Sequence, residues 1–377
     1  MTTTTTTTTV ISEPPHQKDT SILTIVVIGA SGDLAKKKTY PSLFHLYCDQ
    51  LIPHETNTLQ IFGYARSPLT DDELRQRLRP YLLLQQQQQQ QSNKMKHITV
   101  ELVDLFLQHC YYQAGTSYGD PVAYTEMIQR IQTLEAAAVP VVPTTPLVPS
   151  NSTKNRLFYF AIPPSAFAET GIVIQQTSMQ DPILGWTRLI VEKPFGRDLH
   201  SFEILNRTLS QYFSEDHIYR IDHYLGKELV QNLTVMRFSN IWLEKIWNNE
   251  CIQSIILTFK EPFGTDGRGG YFDSYGIIRD ILQNHLLQVL ALLCMETPTA
   301  VTGPLSGKAI RDAKVAVLNA ITPITLSDVV LGQYEGYAGT CVRVYIFCRF
   351  PEVIKSHFNI DHLHAHSSSF LNFFNCD

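Results

Sequence analysis

The sequence lacks the features that mark several classes of protein. It has a formal net charge of -5 and no long basic run, so no nucleic-acid partner is expected. Its seven cysteines form no C-x-x-C pair and no zinc spacing, which predicts reduced thiols in the cytoplasm, with neither disulfides nor a metal site. The most apolar later stretch, residues 277–295, is interrupted by polar side chains such as Arg279 and Asp280, so no membrane span is expected.

The N-terminus lacks a recognisable targeting signal. Eight consecutive threonines at residues 2–9 precede a polar segment that has neither the apolar core of a signal peptide nor the arginines of a transit peptide. Residues 1–20 are therefore expected to form a disordered leader. The length of 377 residues and a composition that is 44% hydrophobic and 17% charged favour a soluble globular protein of two domains.

A glycine-rich turn follows the first strong strand pattern. The β-branched run at residues 21–28 is typical of a buried strand in a parallel sheet. It leads directly into a helix-forming segment, Gly29-Ala30-Ser31-Gly32-Asp33-Leu34-Ala35-Lys36. Small residues let the backbone approach a pyrophosphate, and a helix N-terminus favours its negative charge. The spacing is G-x-x-G rather than G-x-G-x-x-G, so a purely structural turn is an equal alternative from this segment alone.

The next strand pattern, residues 59–65, lacks the acidic residue that usually follows it in NAD-binding proteins. Arg66 and Ser67 stand there instead, and their side chains suit the 2′-phosphate of NADP. NADP is therefore favoured over NAD. The alternative is that Arg66 is a surface charge beside a turn.

Two low-complexity segments interrupt the predicted elements. A helix is predicted at residues 70–84, which begin with an acidic turn, and another at residues 124–138. The first runs into the glutamines at 85–91, and the second into a proline-rich stretch at 139–149. Both segments are interpreted as insertions without a catalytic role.

Two further strand patterns end at prolines. Residues 156–162 and 188–191 are predicted to be buried parallel strands, which places Tyr159 and Lys193 near strand ends, where open α/β sheets bind their ligands. Pro194 keeps Lys193 out of the helical region and can take a cis peptide bond, so the ammonium can be held over a ligand crevice. The alternative for Lys193 is a solvent-exposed side chain.

Ionisable side chains are concentrated at residues 218–228. Asp222, His223, Tyr224 and Lys227 offer a carboxylate, an imidazole, a phenol and an ammonium within a short stretch. Such a group can bind an anion and also orient a base. A solvated charged turn is an equal alternative from these residues alone.

Several motifs in order along the chain resemble the glucose-6-phosphate dehydrogenase family. The three most distinctive are the glycine turn at 29–35, Glu-Lys-Pro-Phe-Gly-Arg-Asp-Leu at 192–199 and Arg-Ile-Asp-His-Tyr-Leu-Gly-Lys at 220–227. Further matches follow at 256–264, 267–273 and 277–288. The resemblance runs from about residue 25 to about residue 334.

The resemblance implies an α/β Rossmann coenzyme domain, expected at residues 21–218. A partial α+β domain with an incomplete antiparallel sheet is expected to follow at residues 219–334. Residues 335–377 form a tail that matches nothing in the family. Three histidines at 362–366 alternate like a strand that could chelate a metal, but no second cluster completes a site.

The reaction implied by the resemblance is oxidation of C1 of β-D-glucose 6-phosphate to the δ-lactone with NADP. By match of motif, His285 is the general base for the proton of the C1 hydroxyl, and Asp222 is the carboxylate that orients it. An imidazole and a carboxylate are suited to these roles. Because apolar residues surround His285 in the sequence, without the resemblance it would be interpreted as a buried core histidine.

The other implied contacts divide between substrate and coenzyme. His223, Tyr224 and Lys227 match the residues that bind the substrate phosphate, and Glu261 and Asp280 match residues that bind sugar hydroxyls. Lys193 is shared between the two ligands. The implied coenzyme contacts are Gly29, Ala30, Ser31, Gly32, Asp33, Leu34, Ala35, Lys36, Arg66, Tyr159 and Lys193.

Other parts of the family's machinery have no counterpart in residues 335–377. These are the dimer surface, a second NADP site, and a lysine and an arginine that help to bind the substrate. The family implies a homodimer or tetramer, and the loss of that surface argues against one here. Little turnover is therefore expected. The alternatives to an active dehydrogenase are an NADP-binding fragment without catalysis and an erroneous gene model.

Overall fold

The computed structural model describes residues 21–54, 58–90, 99–138, 153–248, 250–259, 269–298, 307–331 and 344–345. The chain divides into two compact units, Met1–Ile221 and Asp222–Asp377. The predictions for the N-terminal leader, the proline-rich stretch, Glu261 and the three histidines of the tail lie outside the described residues.

A six-stranded parallel sheet forms the centre of the first unit. Its strands are β1 (Ile22–Ile28), β2 (Leu59–Ala65), β3 (Cys110–Ala114), β4 (Lys154–Phe160), β5 (Thr187–Val191) and β6 (Ile218–Arg220). They lie in the order β3-β2-β1-β4-β5-β6, and every neighbouring pair is parallel. This is the doubly wound order of dinucleotide-binding folds, so the predicted Rossmann architecture is confirmed.

Helices cover both faces of this sheet. They are α1 (Tyr40–Cys48), α2 (Asp71–Gln90), α3 (Val100–Gln108), α4 (Pro121–Ala137), α5 (Phe167–Thr177) and α6 (Leu199–Ser210), with a π-helical turn at Ala35–Thr39 and 3-10 turns at Pro164–Ala166 and Glu215–His217. Ile25 and Val27 of β1 pack with α1, α2 and α3, whereas Val26 and Ile28 pack with α4, α5 and α6. Burial on both faces explains the continuous apolar run at residues 21–28.

The strands and helices that the sequence patterns predicted are present in the first unit. Strands β1, β2, β4 and β5 lie at the predicted positions or within two residues of them. Helix α2 continues to Gln90, so most of the glutamine run extends the helix that was predicted to end at residue 84. Strand β3, which is five residues long, was not predicted.

Helices dominate the described residues of the second unit. They are α7 (Glu228–Phe238), α8 (Ile241–Glu244), α9 (Gly269–Ile277), a π-helix (Ile278–Leu286), α10 (Leu287–Cys294), α11 (Gly307–Ala320) and a 3-10 turn (Leu326–Asp328). Two short strands, β7 (Val330–Leu331) and β8 (Val344–Tyr345), pair antiparallel. The larger antiparallel sheet that the resemblance implies is not seen within the described ranges.

A small apolar core joins three helices of the second unit. Val230 of α7 and Leu292 of α10 are buried in it, and Val317 of α11 packs against them. The stretch Tyr275–Cys294 is long and apolar enough to cross a membrane by length and composition. Its place in this core, and the buried polar side chain of His285 within it, favour a core helix instead.

A capping aspartate gives the first unit a measurable acid sensitivity. Asp120 precedes α4 and accepts hydrogen bonds from the Thr116 backbone and hydroxyl and from the N–H groups of Val122 and Ala123. These bonds, those of Thr116 first, lower the pKa of Asp120 from 3.8 to about 2. Because its folded-state pKa is depressed, ionised Asp120 stabilises the fold above pH 3.8, and this contribution is lost as the pH falls toward 2.

Replacing this cap should therefore have a pH-dependent effect. Asp120→Ala is expected to lower the free energy of unfolding by about 1 kcal/mol at neutral pH, because the helix loses its N-cap. The deficit should shrink once wild-type Asp120 begins to protonate. Urea unfolding followed by circular dichroism at several pH values measures this difference in the free energy of unfolding. Asp120→Asn is the control, because an asparagine side chain can cap the helix but does not titrate. An Ala deficit that stays the same down to about pH 2 would contradict the prediction.

Candidate active site

A nine-residue π-helix carries two of the predicted site residues. It spans Ile278–Leu286 and follows a break at Gly276, whose φ of 67° and ψ of 169° are not helical. Because π-helical hydrogen bonds join residues five apart, Asp280 and His285 lie on one side of the helix. Their exposed fractions are 4% and 0%. Short π-helical segments occur frequently at functional sites.

The C-terminal end of the same helical stretch is held by two side chains. The buried Arg237 guanidinium donates hydrogen bonds to the carbonyl oxygens of Leu292 and Met295, at 2.5 and 2.8 Å. The indole N–H of Trp247 donates to the carbonyl oxygen of Leu293 at 2.8 Å. The last carbonyls of a helix have no partner within the helix, so these bonds satisfy them and fix the end of α10.

Consecutive backbone turns arrange the polar side chains at the start of the second unit. Leu225 N–H donates to the carbonyl oxygen of Asp222 at 3.0 Å, and Lys227 N–H donates to that of Tyr224 at 3.1 Å. Helix α7 begins immediately afterwards, at Glu228. The turns keep this short segment compact, so that several of its side chains reach the π-helix that carries His285.

Asp222 and His285 form a direct hydrogen bond. The distance from His285 Nδ1 to Asp222 Oδ1 is 2.5 Å, and the same oxygen accepts the Tyr224 backbone N–H at 3.0 Å. A carboxylate oxygen can only accept, so the Nδ1 atom carries the proton of a neutral imidazole. The Nε2 atom is buried and accepts no hydrogen bond within the described part of the chain. It is therefore the ring atom that can take up a proton.

The carboxylate of this pair is ionised at neutral pH. Burial would raise the pKa of Asp222, but the hydrogen bond and charge of His285, with the Tyr224 N–H, lower it below its ordinary value of 3.8. The second oxygen, Oδ2, is buried and accepts no hydrogen bond from the described residues.

Aromatic rings enclose the imidazole. The Tyr224 ring stacks on His285 with centroids 4.1 Å apart and an interplanar angle of 17°, and the edge of the His223 ring lies at 4.6 Å. Lys227 Nζ lies 3.6 Å from the centre of the Tyr224 ring, in cation–π geometry. The structure thus brings Asp222, His223, Tyr224, Lys227 and His285 together in one cluster.

The glycine turn of the first unit has no room for a side chain. Gly29 has a φ of +88°, and a Cβ at this position would lie 2.2 Å from the carbonyl oxygen of Ala161. Ala161 follows β4, the neighbour of β1 at which the strand order reverses, and this is where doubly wound sheets bind ligands. Only glycine therefore fits where the turn packs against the end of β4.

The residues after Gly29 are tied to one another and to the end of β2. The hydroxyls of Ser31 and Ser67 are 3.2 Å apart. Asp33 forms ion pairs with Lys36 and Lys37 at 3.3 and 2.8 Å, and the hydrogen bond from Lys37 is the main reason that the pKa of Asp33 is lowered. The residues of this turn that were predicted to contact the coenzyme are therefore connected to one another by hydrogen bonds and ion pairs.

Arg66 directly follows β2. Its guanidinium lies over the Tyr118 ring, 5.1 Å from the centroid, and its side chain is exposed. Arg66 is therefore an exposed cation at the end of the second strand.

Tyr159 and Lys193 are connected through a residue that the sequence did not single out. The Tyr159 hydroxyl donates a hydrogen bond to the Glu192 carboxylate, and burial raises the pKa of Tyr159. Lys193 follows Glu192 in the chain, and the Lys193–Pro194 peptide bond is cis, as Pro194 allowed. The two predicted contacts thus lie close together in the first unit.

Two family models match the chain. One, described as the NAD binding domain of glucose-6-phosphate dehydrogenase, matches residues 26–232, and the other, described as its C-terminal domain, matches residues 234–347. The chain belongs to the glucose-6-phosphate dehydrogenase family. The resemblance seen in the sequence is therefore confirmed, and the first unit has a fold that binds a nicotinamide dinucleotide. The match extends to residue 347, so the expectation that residues 335–347 match nothing in the family is wrong.

Relatives from this family match most of the chain. A cytoplasmic isoform of glucose-6-phosphate 1-dehydrogenase from Solanum tuberosum is 47% identical, over 85% of this chain and 57% of that protein. A chloroplastic enzyme from Nicotiana tabacum is 45% identical, over 84% of this chain and 48% of that protein. The chain thus spans about half the length of the curated relatives it matches.

A solved structure supports the same assignment. It is a glucose-6-phosphate dehydrogenase in complex with its substrate glucose 6-phosphate, and it is 44% identical to this chain with a TM-score of 0.71. The match covers 84% of this chain and 59% of that one.

Sequence reasoning gave no role to some residues that hold others in place. Glu192 binds Tyr159 in the first unit, and Arg237 and Gln288 bind groups of the second unit that are distant in the chain. Arg237 is only 9% exposed although it is a charged residue in an ordinary amphipathic stretch.

Because Gly29 packs closely against the Ala161 carbonyl, adding a single methyl group at Gly29 is predicted to have a strong effect. Gly29→Ala should abolish detectable binding of NADPH and destabilise the first unit, because the new Cβ meets the Ala161 carbonyl and the backbone has a positive φ. Fluorescence titration with NADPH and thermal unfolding measure the two effects. Gly119→Ala is the matched control, since its Cβ would first meet the Glu169 side chain at an ordinary 3.4 Å. Wild-type binding by Gly29→Ala would contradict this account.

Proposed function

We propose that this chain oxidises C1 of β-D-glucose 6-phosphate to the δ-lactone with NADP, the first step of the oxidative pentose phosphate pathway. The observation that supports the proposal most is the buried Asp222–His285 pair, with Nε2 of His285 left without a partner in the described chain. A neutral imidazole held by a carboxylate is an arrangement suited to general base catalysis.

The proton step follows from this geometry. His285 Nε2 takes the proton of the C1 hydroxyl, and the oxygen then forms a carbonyl as C1 gives up its hydrogen with both bonding electrons. The nicotinamide coenzyme, when bound, accepts that hydride. Asp222 stabilises the imidazolium through the Nδ1 hydrogen bond, so the positive charge that develops on the ring meets an anion already in place.

The remaining predicted substrate residues have chemistry that fits a sugar phosphate. His223, Tyr224 and Lys227 carry donors that suit a dianion. Lys193 is also proposed to bind the substrate, because its ammonium is a charged donor. Asp280 is a buried carboxylate on the helix of His285, and carboxylates accept hydrogen bonds from sugar hydroxyls. Glu261, which lies outside the described residues, is proposed for the same role.

The coenzyme proposal concerns NADP specifically. Gly29 to Lys36 are proposed to hold the pyrophosphate, and Arg66 to bind the 2′-phosphate, since a guanidinium pairs well with phosphate. Tyr159 and Lys193 are proposed to contact the rest of the coenzyme. A cytoplasmic location is proposed as well, on the cytoplasmic relative and on the four free thiols of the described residues, although chloroplastic relatives match too.

The direct test is coenzyme reduction by the purified chain. Glucose 6-phosphate and NADP together should give NADPH, and His285→Gln should slow the reaction by about 10²–10⁴-fold, because the base is lost. NADPH absorbance measures the rate. Binding of NADPH should be unchanged in His285→Gln, and His200→Gln, an exposed histidine of α6, is the control.

Two results would count against the proposal. Turnover by His285→Gln at the wild-type rate would remove the base from the mechanism. NADPH binding by wild type without any turnover would instead favour the alternative of a non-catalytic coenzyme-binding fragment.

The coenzyme preference has its own test. Arg66→Ala should raise the Kd for NADP about tenfold or more, which corresponds to the loss of a charged hydrogen bond worth about 1.5 kcal/mol. The Kd for NAD should change little, because NAD has no 2′-phosphate. Titrations of both coenzymes measure this, with Arg77→Ala on the exposed face of α2 as the control. Equal losses for NADP and NAD in Arg66→Ala would contradict the role of Arg66.

A further inference from the structure

A tyrosine in the loop between β3 and α4 lies beneath Arg66. The guanidinium carbon of Arg66 is 5.1 Å from the centre of the Tyr118 ring, in cation–π geometry. The Arg66 side chain is exposed, whereas Tyr118 is half-buried and packs against the core that includes α4 and α5. The ring is therefore the fixed partner in this contact.

Hydrogen bonds hold the backbone on which Tyr118 stands. The buried Tyr64 side chain donates from its hydroxyl to the carbonyl oxygen of Ser117 at 2.7 Å. The hydroxyl of Thr170, on α5, donates to the carbonyl oxygen of Tyr118 itself at 3.4 Å. Consecutive residues of the loop are thus tied to the sheet and to a helix behind it, which fixes the position of the ring.

The same loop starts beside the end of β2. Ala114, the last residue of β3, pairs with Ala65, the last residue of β2. The N–H group of Gly115 then donates to the carbonyl oxygen of Ala65 at 3.1 Å. Because Arg66 directly follows Ala65, the arginine and the loop that carries Tyr118 leave the sheet from one point.

Arg66 differs from other arginines of the first unit that lie over aromatic rings. Arg75 also pairs with Asp72 at 2.9 Å. Arg130 likewise pairs with Asp71 at 3.0 Å. Within the described ranges, no carboxylate lies within 4.0 Å of the Arg66 guanidinium. A carboxylate would compete with an anionic ligand, whereas an aromatic face orients the guanidinium without neutralising its charge.

We propose that Tyr118 is a positioning residue for coenzyme specificity, which holds the Arg66 guanidinium in place for the 2′-phosphate of NADP. The role rests on the proposed function, in which Arg66 binds that phosphate. A cation that is oriented before the coenzyme arrives loses less conformational entropy on binding. Because Tyr118 acts through Arg66, it favours NADP over NAD, which has no 2′-phosphate.

Calorimetric titrations of the full chain with NADP and NAD test this role. Tyr118→Leu should raise the Kd for NADP about two- to fivefold, the strength of an exposed cation–π contact, and leave the Kd for NAD unchanged. Tyr118→Phe should bind NADP like wild type, because the ring face remains. Tyr219→Leu is the matched control, since Tyr219 is an exposed tyrosine that contacts a different arginine, Arg188, in the same way.

A double-mutant cycle shows whether Tyr118 acts through Arg66. Tyr118→Leu should not weaken NADP binding further in the Arg66→Ala background. Losses that multiply would overturn the proposal, and so would equal losses for NADP and NAD in Tyr118→Leu.

The cycle also distinguishes this role from the proposed function. Weakened NADP binding in Arg66→Ala with unchanged binding in Tyr118→Leu would overturn the role of Tyr118 alone. Unchanged NADP binding in Arg66→Ala would reject the coenzyme role of Arg66, and the role of Tyr118 with it.

The contact can be observed without coenzyme, and in wild type, which covers the case in which Tyr118→Leu does not fold. In the full chain with ¹³C-labelled arginine, the Cδ protons of Arg66 should resonate upfield of those of Arg77, an exposed arginine of α2, because the Tyr118 ring current shields them. Arg66→Ala and Arg77→Ala assign the two signals, and Tyr118→Phe should keep the shift. Arg66 protons that resonate at the position of those of Arg77 would overturn the proposal.

Discussion

The hydrogen bond between Asp222 and His285 joins segments 63 residues apart, and the arrangement of the cluster depends on it. The His285 side chain is completely buried and that of Asp222 is 12% exposed. Polar groups so far from water are unfavourable unless they are paired, so the two side chains stabilise each other's burial. The same bond fixes the ring orientation and leaves Nε2 as the atom available to a substrate.

The helical stretch that carries His285 is constrained at both ends. Gly276 breaks the helix before the π-helix, and Arg237 and Trp247 bind the carbonyl oxygens at the far end of α10. Between these points the π-helical geometry places Asp280 and His285 on one side. Rigid neighbours keep the proposed base His285 in position before any substrate binds, as preorganised catalysis requires.

Local patterns predicted the features that depend on neighbours in the sequence. Strands β1 and β2 were found because both faces are buried and their sequences are largely apolar. The glycine turn was found because its G-x-x-G spacing directly follows β1, and the structure shows that Gly29 has a positive φ. The resemblance to a known family then identified the residues of the cluster. The structure confirms the doubly wound sheet, and the family models confirm the family.

Features that depend on distant contacts were not predictable. Arg156 stands in a strand pattern, yet it is 1% exposed because it forms an ion pair with Glu135 of α4 at 3.0 Å. The π-helix has no sequence signature of its own, so the apolar residues around His285 indicated only that this histidine is buried. Lys314 is one charged residue among several on α11, and only the structure shows that its ammonium donates a hydrogen bond to Gln288, whereas Lys308 pairs with Asp312 in an exposed position.

The most direct test of the central pair is a double-mutant cycle on kcat/KM for glucose 6-phosphate. Asp222→Asn, His285→Gln and the double variant would be compared with wild type in the full chain. If Asp222 acts through His285, the double variant is no slower than His285→Gln alone, because the carboxylate has nothing left to orient. Losses that multiply in the double variant would show independent roles and would contradict the account.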